Sequence, residues 1–399
     1  MEKVKLKEIL EVRRGTSLSG KYYSKDGELI RLTLGNFNYP GYGFKENTSK
    51  EDTYFNGEVK QQYILKKGDI ITPLTEQVSG LLGETATIPE NNKYIQSGDI
   101  GLVIPKEEKL DKRFAYYLIS SSMIKKQLDV SSQQTKIRHT SPDKIKDCIA
   151  WIPEKSRQVK IAKILDEIND AIDKNSQINN NLEELMKTIY QRWFIEFEFP
   201  NEEGKTYKSS GGRLVYNEEL KQEIPEGWKV KKAKELTDVI TGKEDANFST
   251  DNGKYKFFTC SNDTLKCDIP AYNGSAILIA GNGDFNVKHY TGCFNAYQRT
   301  YVLIPENINY YSTMYISAKN KIDAFKKGSS GSIVKFITKG MIEDINVIIP
   351  NDKKLLEELN KILFAIEKNN TENDKLTDLK NFLLPLLMNG QINVDDIEI

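Results

Sequence analysis

Two five-residue stretches, Ala-Ile-Asp-Lys-Asn at 171–175 and Ala-Ile-Glu-Lys-Asn at 365–369, repeat each other with an offset of 194 residues. Each belongs to a longer repeat, residues 168–189 and 362–383, that follows a much longer and less similar segment. This period is far longer than the roughly 20–45 residues of a solenoid repeat. The order of variable segment, helix, variable segment and helix predicts a protein with two similar ends that performs one task at two places.

The repeated stretches carry a heptad pattern. Apolar positions recur at alternating steps of three and four from Ile161 to Ile189, and the second copy shows the same phase from Ile362 to Leu386. A narrow seam of this kind is typical of a coiled coil, and the simplest partner for each helix is the other one. The residues expected to pair the helices are Ile168, Asn175, Leu182, Leu185, Ile362, Asn369, Leu376 and Leu379. Asn175 and Asn369 would fix the register at some cost in stability, unless they only mark a solvated turn.

The segments around the helices are duplicated as well. The matched pairs are Ile145–Pro153 with Ile342–Pro350, Leu102–Pro105 with Val302–Pro305, and Lys5–Gly15 with Lys231–Gly242. Inside each variable segment, strand-like runs alternate with Gly, Asn and Asp, and short helices are predicted at 111–128 and near 311–325, so each segment is predicted to be a mixed α/β domain. A polar, turn-rich stretch between the halves reads as a linker or surface loop.

Composition excludes several classes of protein. The chain of 399 residues has 57 basic and 57 acidic residues, and therefore no net charge. Its four Cys form no CxxC pair and its two His lie far apart in sequence, so no metal site is predicted. No leader and no run of about 18 apolar residues is present, so we expect a soluble cytoplasmic protein without a membrane partner.

Fragments that resemble catalytic motifs have simpler explanations. An apolar run followed by Gly281-Asn282-Gly283 looks like a nucleotide-binding loop, but β-branched and aromatic residues follow it and favour a β-turn. Glu107-Glu108-Lys109 looks like part of a nuclease motif, but such triplets arise by chance in a chain with 29% charged residues. No phosphate-binding GxxxxGK[ST] loop and no amine-gripping methyltransferase motif occurs, so no enzymatic activity is predicted.

Loops rich in cations, amides and aromatic side chains are candidates for DNA contact, because cations bind phosphates while Arg and Gln read base edges. One charged loop is normally just solvated, so the hypothesis depends on matched loops in both halves. The candidates are Lys21, Tyr22, Lys25, Tyr42, Lys45, Gln133, Gln134, Thr135, Lys136, Arg138, His139, Lys243, Lys254, Lys256, Lys288, His289, Tyr297, Gln298, Arg299 and Lys335. Predicted base readers among them are Gln133, Gln134, Arg138, Gln298 and Arg299, and predicted phosphate ligands are Lys136, Lys243, Lys288 and Lys335.

Four stretches, Trp193–Gly204, Tyr207–Gly212, Ile224–Val230 and Leu383–Ile392, resemble the specificity subunit of type I restriction–modification systems. The resemblance covers the full chain and is most specific in the helices and the central stretch. It implies an α/β (α+β) fold of two mixed α/β target-recognition domains separated by two long helices, which pack as an antiparallel coiled coil with pseudo-twofold duplication. The predicted limits are 1–153 and 225–350 for the recognition domains, 154–197 and 351–390 for the helices, and 198–224 for the linker.

The resemblance also implies a function. Such a subunit has no catalysis of its own and no cofactor; each domain reads half of a bipartite DNA site, and the helices dock two copies of an adenine methyltransferase subunit, which would bind S-adenosylmethionine. In a full system the endonuclease subunit docks too. One departure is Arg157, which replaces a Glu common in the family. The alternative is a coiled-coil scaffold that joins proteins without touching DNA, which explains the helices but not the matched loops.

Overall fold

The computed structural model describes residues 1–39, 41–48, 51–76, 80–131, 138–326 and 336–396. Contacts within the chain divide it into two compact units, Met1–Ile172 with Asp374–Ile399 (unit 1) and Asp173–Asn373 (unit 2). Both boundaries fall inside long helices. Each unit therefore contains a globular part together with a portion of both helices.

Unit 1 is built on short strands with helices packed against them. Its strands are β1 Glu2–Lys5, β2 Leu10–Arg14, β3 Tyr23–Ser24, β4 Ile30–Arg31, β5 Tyr54–Phe55, β6 Ile70–Pro73, β7 Thr75–Glu76, β8 Ala86–Thr87, β9 Tyr94–Ile95, β10 Ile100–Pro105, β11 Arg138–His139 and β12 Ile149–Ile152. Its helices are α1 Lys112–Ile119, α2 Ser122–Ser131, α3 Pro142–Asp147 and the first half of α4 Lys155–Tyr190. Two four-stranded sheets, in the orders β2-β10-β6-β8 and β3-β5-β4-β9, form the main layers.

The helix predicted over 111–128 is two helices. The break falls at two serines, where Ser120 Oγ donates to the Tyr116 carbonyl at 3.2 Å and Ser121 Oγ to the Leu118 carbonyl at 2.7 Å. Serine hydroxyls that bond to a nearby backbone in this way compete with the helical hydrogen bonds. The chain can therefore turn there and bury both helices against the sheet.

Unit 2 has a larger sheet. Its strands are β13 Leu214–Asn217, β14 Gln222–Pro225, β15 Lys229–Lys232, β16 Val239–Thr241, β17 Tyr255–Phe258, β18 Thr264–Cys267, β19 Tyr272–Ala280, β20 Val287–Ala296, β21 Thr300–Leu303 and β22 Asn346–Ile349; its helices are α5 Tyr311–Lys326, α6 Lys339–Glu343 and most of α7 Lys353–Met388. Six strands pair in the order β16-β21-β19-β20-β17-β18. Gly274 and Gly292 face each other in the β19–β20 ladder, both with φ of 142°, which a side chain would strain.

The segment predicted as a linker, residues 198–224, is a folded part of unit 2. Strands β13 and β14 pair within it, and Phe199 stacks on Tyr207 at 4.6 Å and on Trp228 at 4.8 Å between ring centroids. Its polar composition predicts a linker or surface loop, and a few large aromatic side chains nevertheless pack together within it. The stretch therefore has structure of its own, and its role as a linker stays a prediction.

The long helices α4 and α7 have 36 residues each, or about 54 Å at about 1.5 Å per residue. In unit 2, Asn175 Nδ2 donates to Asn373 Oδ1 at 3.0 Å, and Asn369 Nδ2 donates to Asn179 Oδ1 at 2.8 Å. The offset of 194 residues carries the first bond onto the second. The helices are antiparallel here, as predicted, and Asn175 and Asn369 each bond across to the partner helix rather than to each other.

Every second position of the predicted seam is buried or half-buried, as the heptad pattern predicts. Ile168 is buried, and Leu182, Ile362 and Leu376 are half-buried. At the intervening positions burial moves one residue on, so that Leu185 and Leu379 are 47% and 44% exposed. Their neighbours, Met186 and Lys380, are buried instead. The pairing predicted for Leu185 and Leu379 is therefore wrong.

The cause of this shift is the globular part of each unit. Leu165 of α4 belongs to the apolar core of unit 1, and Met186 belongs to that of unit 2 together with Leu359 and Leu363 of α7. Each long helix packs against the other long helix and against the globular part of a unit, so its buried face is broader than a coiled-coil seam. Within the described residues, no helix is both long and apolar enough to cross a membrane.

Candidate nucleic-acid interface

Several loops of the six-stranded sheet meet in unit 2. We call them the unit 2 loop cluster, which comprises residues 242–244, 260–263, 281–288 and 297–300. The Arg299 carbonyl accepts from Gly281 N at 2.9 Å and from Cys260 Sγ at 3.3 Å, and Asn286 Nδ2 donates to the Cys260 carbonyl at 2.9 Å. These bonds join three of the segments, and Gly242 N, which donates to the Thr300 carbonyl at 3.0 Å, joins the fourth. Gly281 and Gly283 lie in the hairpin turn between β19 and β20.

Unit 1 contains an equivalent arrangement, the unit 1 loop cluster, which comprises residues 15–17, 74–76, 96–99 and 138–140. The same three backbone bonds, two of which involve the adjoining residues Ile100 and Ile337, hold both clusters at 2.8–3.1 Å. In unit 1, Gly15 N donates to Ile100 O, Leu74 N to Asp99 O and Thr140 N to Leu74 O. In unit 2, the equivalent bonds run from Gly242 N to Thr300 O, from Gly281 N to Arg299 O and from Ile337 N to Gly281 O. The duplication seen in the sequence therefore extends to the loops.

A glycine is required at the same place in both clusters. A Cβ added to Gly15 would lie 2.2 Å from the Ser97 carbonyl oxygen, and one added to Gly242 would lie 2.1 Å from that of Ala296. These atoms belong to the backbone and cannot move aside like the end of a side chain. Both clusters therefore depend on a close approach of two chain segments that only glycine permits.

The unit 2 loop cluster is rich in donors. Lys243, Gln298 and Arg299 are exposed, and Tyr297 lies beside them half-buried. Gln298 Nε2 donates to Asp245 Oδ1 at 2.7 Å, and this bond fixes the orientation of the Gln298 side-chain amide. The structure thus brings together residues that the sequence analysis had selected from separate stretches.

Lys288 is the most perturbed cation of this cluster. Its Nζ donates to the carbonyls of Ser261 at 2.6 Å and Asp263 at 3.3 Å. Burial lowers the pKa of Lys288 to about 8, against the smaller opposing effect of Asp263. An ammonium held by two carbonyls still has a third proton to donate, which suits a phosphate oxygen.

Lys256 lies on β17, the strand that leads into the cluster, and Lys254 directly precedes that strand. Lys256 Nζ lies 5.3 Å from the ring centroid of Tyr290, and Lys254 Nζ lies 5.3 Å from that of Tyr255. The Tyr290 ring packs in turn on Phe258, 5.4 Å away. Two lysines thus lie beside aromatic rings here, and lysine and tyrosine are among the residues that contact phosphates and sugars.

The unit 1 loop cluster differs in charge. Arg138 pairs with Asp129 and lies 3.5 Å from the Glu76 carboxylate, while the neighbouring His139 is exposed. Asp99, an exposed residue, occupies the position that Arg299 occupies in unit 2. A carboxylate accepts hydrogen bonds where a guanidinium donates them, so the two clusters present opposite chemistry at one equivalent point.

Other candidates lie elsewhere. Lys21, Tyr22 and Lys25 are exposed at the β3 end of the small sheet of unit 1, where Lys25 pairs with Glu51, and Lys45 is exposed. These four residues belong to none of the segments of the unit 1 loop cluster. Gln133, Gln134, Thr135, Lys136 and Lys335 lie outside the described residues.

Two candidates face inwards. The His289 side chain is only 8% exposed and its Nδ1 lies 2.9 Å from Glu367 Oε1 of α7. Tyr42 packs on α7 and its hydroxyl donates to Asn381 Oδ1 at 2.8 Å. The structure uses both side chains to attach a domain to a helix, which corrects the prediction that they present polar groups to DNA.

Sequence reasoning missed Asp99 and Asn262. Asn262 is exposed in the unit 2 loop cluster, where its amide donates to Asp284 Oδ2 at 3.2 Å. Asp99 could have been found, because the match of Leu102–Pro105 with Val302–Pro305 places it opposite Arg299. Nothing in the sequence near Asn262 indicated the hairpin against which it lies.

Comparison with known proteins gives a consistent result. A family model described as "Type I restriction modification DNA specificity domain" matches residues 1–184 and 225–381. The chain is 36% identical over 176 residues to the EcoDI type I restriction enzyme specificity subunit of Escherichia coli, which covers 42% of this chain and 39% of that protein. It is 22% identical over 407 residues to the HindI specificity subunit of Haemophilus influenzae, covering 82% of this chain and 87% of that one.

A solved structure shares the fold. The crystal structure of a type I restriction–modification system S subunit from M. genitalium matches with a TM-score of 0.57 and 15% sequence identity. The match covers 97% of this chain and 96% of that one. At this identity the likeness establishes a common architecture of duplicated mixed α/β domains and long helices.

Proposed function

Because the chain belongs to the type I restriction–modification DNA specificity family, we propose that it is the non-catalytic subunit that selects the DNA sequence in such a system. The observation that carries this proposal is the pair of loop clusters with identical backbone bonds and different side chains. An identical frame with different donors and acceptors is what a protein needs to read two different sequences with one architecture.

The target is then bipartite and asymmetric. Arg299 can donate two hydrogen bonds to guanine, while Asp99 at the equivalent place can accept from the cytosine N4 amine. Arg138, held by Asp129, would act in the unit 1 cluster. Lys243 and Lys288 would hold phosphates and so fix the position of the duplex without carrying sequence information.

The helix pair would act as a ruler between the half-sites. Its length of about 54 Å exceeds one turn of DNA, about 34 Å, so both domains could meet the same face of the duplex. The hydrogen bonds among Asn175, Asn179, Asn369 and Asn373 give the helices a defined register. A defined register is the property that a ruler requires.

Two copies of an adenine-N6 methyltransferase subunit would dock on this duplicated frame, and an endonuclease subunit would join them in a full system. The duplication supports this, since two equivalent surfaces suit two identical partners. S-adenosylmethionine would bind the methyltransferase. Arg157, at the start of α4, pairs with Asp395 at 2.7 Å in unit 1. A docking contact made there by a Glu in relatives would therefore differ in this protein.

Mapping N6-methyladenine in host DNA with the gene present and absent tests the proposal. We expect one methylated motif, made of two unlike half-sites and a fixed spacer, that disappears with the gene. An unbroken motif, or methylation that is unchanged without the gene, would contradict it.

The ruler is tested by inserting one heptad into both α4 and α7 in register. The spacer should lengthen while both half-site sequences stay the same. The control inserts the same seven residues at Gly204, where a side chain would meet nothing within 4 Å. An unchanged spacer after the helix insertion would exclude the ruler.

Direct reading is tested at Arg299. Arg299→Ala should relax one base position in one half-site, at a cost of about 1–3 kcal/mol in discrimination. Lys243→Ala is the matched control and should weaken binding evenly across sequences, with a smaller dependence on salt. Equal effects of both variants on all sequences would show that Arg299 reads no base.

A scaffold that binds no DNA is the competing function. It is tested by a gel shift with target and unrelated duplexes, with and without the methyltransferase subunit. Because the net charge is zero, we expect weak binding by the chain alone and firm binding by the complex. No shift of either duplex in the complex would favour the scaffold.

A further inference from the structure

Lys380 of α7 is a buried cation in unit 1. It is 2% exposed, its Nζ donates to Asn169 Oδ1 of α4 at 2.7 Å, and it lies 3.0 Å from the ring centroid of Tyr42. The Tyr42 hydroxyl donates to the next residue of α7, Asn381, at 2.8 Å. The Tyr42 loop, residues 41–45, is therefore held on α7 by adjacent residues of the helix.

The same network reaches a helix of the domain. Asn169 Nδ2 donates to the Tyr117 hydroxyl at 2.8 Å, and that hydroxyl donates to Asp166 Oδ1 at 2.6 Å. Asp166 also binds the guanidinium of Arg113 through both carboxylate oxygens. One chain of hydrogen bonds thus connects the Tyr42 loop, both long helices and α1.

The two equivalent positions in unit 2 carry apolar residues. The offset of 194 residues takes Lys380 to Met186 and Asn169 to Leu363, which are 3% and 0% exposed and belong to one apolar core. An apolar pair is therefore sufficient to pack the helices at this level. Burying an ammonium costs several kcal/mol unless its partners compensate, so Lys380 is not explained by helix packing.

Residues near the Tyr42 loop lead towards the unit 1 loop cluster. Burial and the charge of Glu84 raise the pKa of Tyr42 to about 12, and the buried Glu84 carboxylate pairs with Lys125. Between Glu84 and the cluster, Leu82 N donates to Glu76 Oε2 at 2.9 Å, and Glu76 lies beside Arg138. The segment from Glu84 to Leu82 thus leads from the surroundings of Tyr42 to Glu76, which lies beside a predicted base reader.

We propose that Lys380 is a positioning residue, which fixes the Tyr42 loop of the first recognition domain on the helix pair and so determines how strictly one half-site is read. The inference rests on the proposed function for its second part only. Lys380 touches no DNA in this proposal. It acts through Tyr42, and unit 2 reads its own half-site without a counterpart.

The experiment compares three variants of the full chain. Lys380→Met removes the cation, while Asn169→Leu with Lys380→Met rebuilds the apolar pair found at Leu363 and Met186. Met186→Leu is the matched control in unit 2. Amide hydrogen exchange of residues 41–45 is measured on the chain alone. Methylation of libraries with one half-site randomised at a time is measured with the methyltransferase subunits present.

We expect faster amide exchange at residues 41–45 in both variants that lack Lys380, and an unchanged exchange rate in the control. Discrimination should fall about tenfold at one half-site only, as loss of a desolvated cation–π contact predicts. The double variant should recover thermal stability without recovering discrimination, because helix packing is restored but the loop is not held.

Unchanged exchange at residues 41–45, or full recovery of discrimination in the double variant, would overturn the inference. An equal loss of sequence discrimination at both half-sites would overturn the inference too. If the wild-type complex methylates no defined site, the proposed function fails, and the exchange data alone then decide whether Lys380 holds the loop.

Discussion

The neighbouring residues Leu185 and Met186 of α4 allow a direct test of the helix phase. Met186 is 3% exposed in the core of unit 2, and Leu185 is 47% exposed. Met186→Ala removes a fully buried side chain and should cost about 2–5 kcal/mol of the free energy of unfolding. Leu185→Ala removes a side chain that is half in water and improves helix propensity slightly, so it should cost about 1 kcal/mol or less.

Tryptophan fluorescence during urea unfolding measures both values. Trp228 is 5% exposed within the core that contains Met186, and Trp193 packs against that core. Trp151 is 47% exposed in unit 1 and is replaced by Phe in every sample, so that the signal reports unit 2. The midpoint should fall by about 1–2 M urea for Met186→Ala and by a few tenths for Leu185→Ala.

The result that would refute this reasoning is a loss for Leu185→Ala equal to or greater than that for Met186→Ala. The seam would then follow the simple heptad pattern of the sequence, with Leu185 between the helices. The broader buried face of α4 would be excluded.

Further predictions concern single polar groups in unit 2. Asn179→Ala should cost about 1–3 kcal/mol in the same urea assay, since it removes one partner from cross-helix hydrogen bonds; a loss below about 0.5 kcal/mol would show that water replaces them. Because burial lowers the pKa of Lys288 to about 8, the affinity of the complex for its target DNA should fall from pH 7 to 9 as the ammonium deprotonates. Lys288→Arg should flatten this pH profile of affinity, measured by fluorescence anisotropy, and identical profiles for the two proteins would exclude a phosphate contact. Burial alone would raise the pKa of Glu367, but hydrogen bonds from His289 and Tyr311 outweigh it and hold the pKa below its usual 4.5. The stabilisation by the ionised carboxylate is therefore present above that value and is lost on acidification, so Glu367→Gln should destabilise unit 2 by about 1–3 kcal/mol at pH 7 and weaken the acid dependence of unfolding. An unchanged acid dependence would show that the ionised form is unimportant.

Much of the candidate site followed from matched stretches. Lys243, Tyr297, Gln298 and Arg299 were selected as separate cationic and amide-rich stretches, and the structure places them together. His289 and Tyr42 were selected on the same grounds but face a long helix. A side chain's residue type shows which bonds it can make, whereas only the packing of strands against helices decides which way it points.

The amino-acid sequence by itself determined the duplication, the two long helices, the mixed α/β character of the domains and the family. These properties depend on periodicity and on matched segments, which are local in the chain. The tertiary structure alone decided that burial follows Met186 and Lys380 rather than Leu185 and Leu379. It also decided that residues 198–224 are folded into unit 2. The physical reason is that a helix or loop buries the face that its neighbours cover, and those neighbours come from distant parts of the chain.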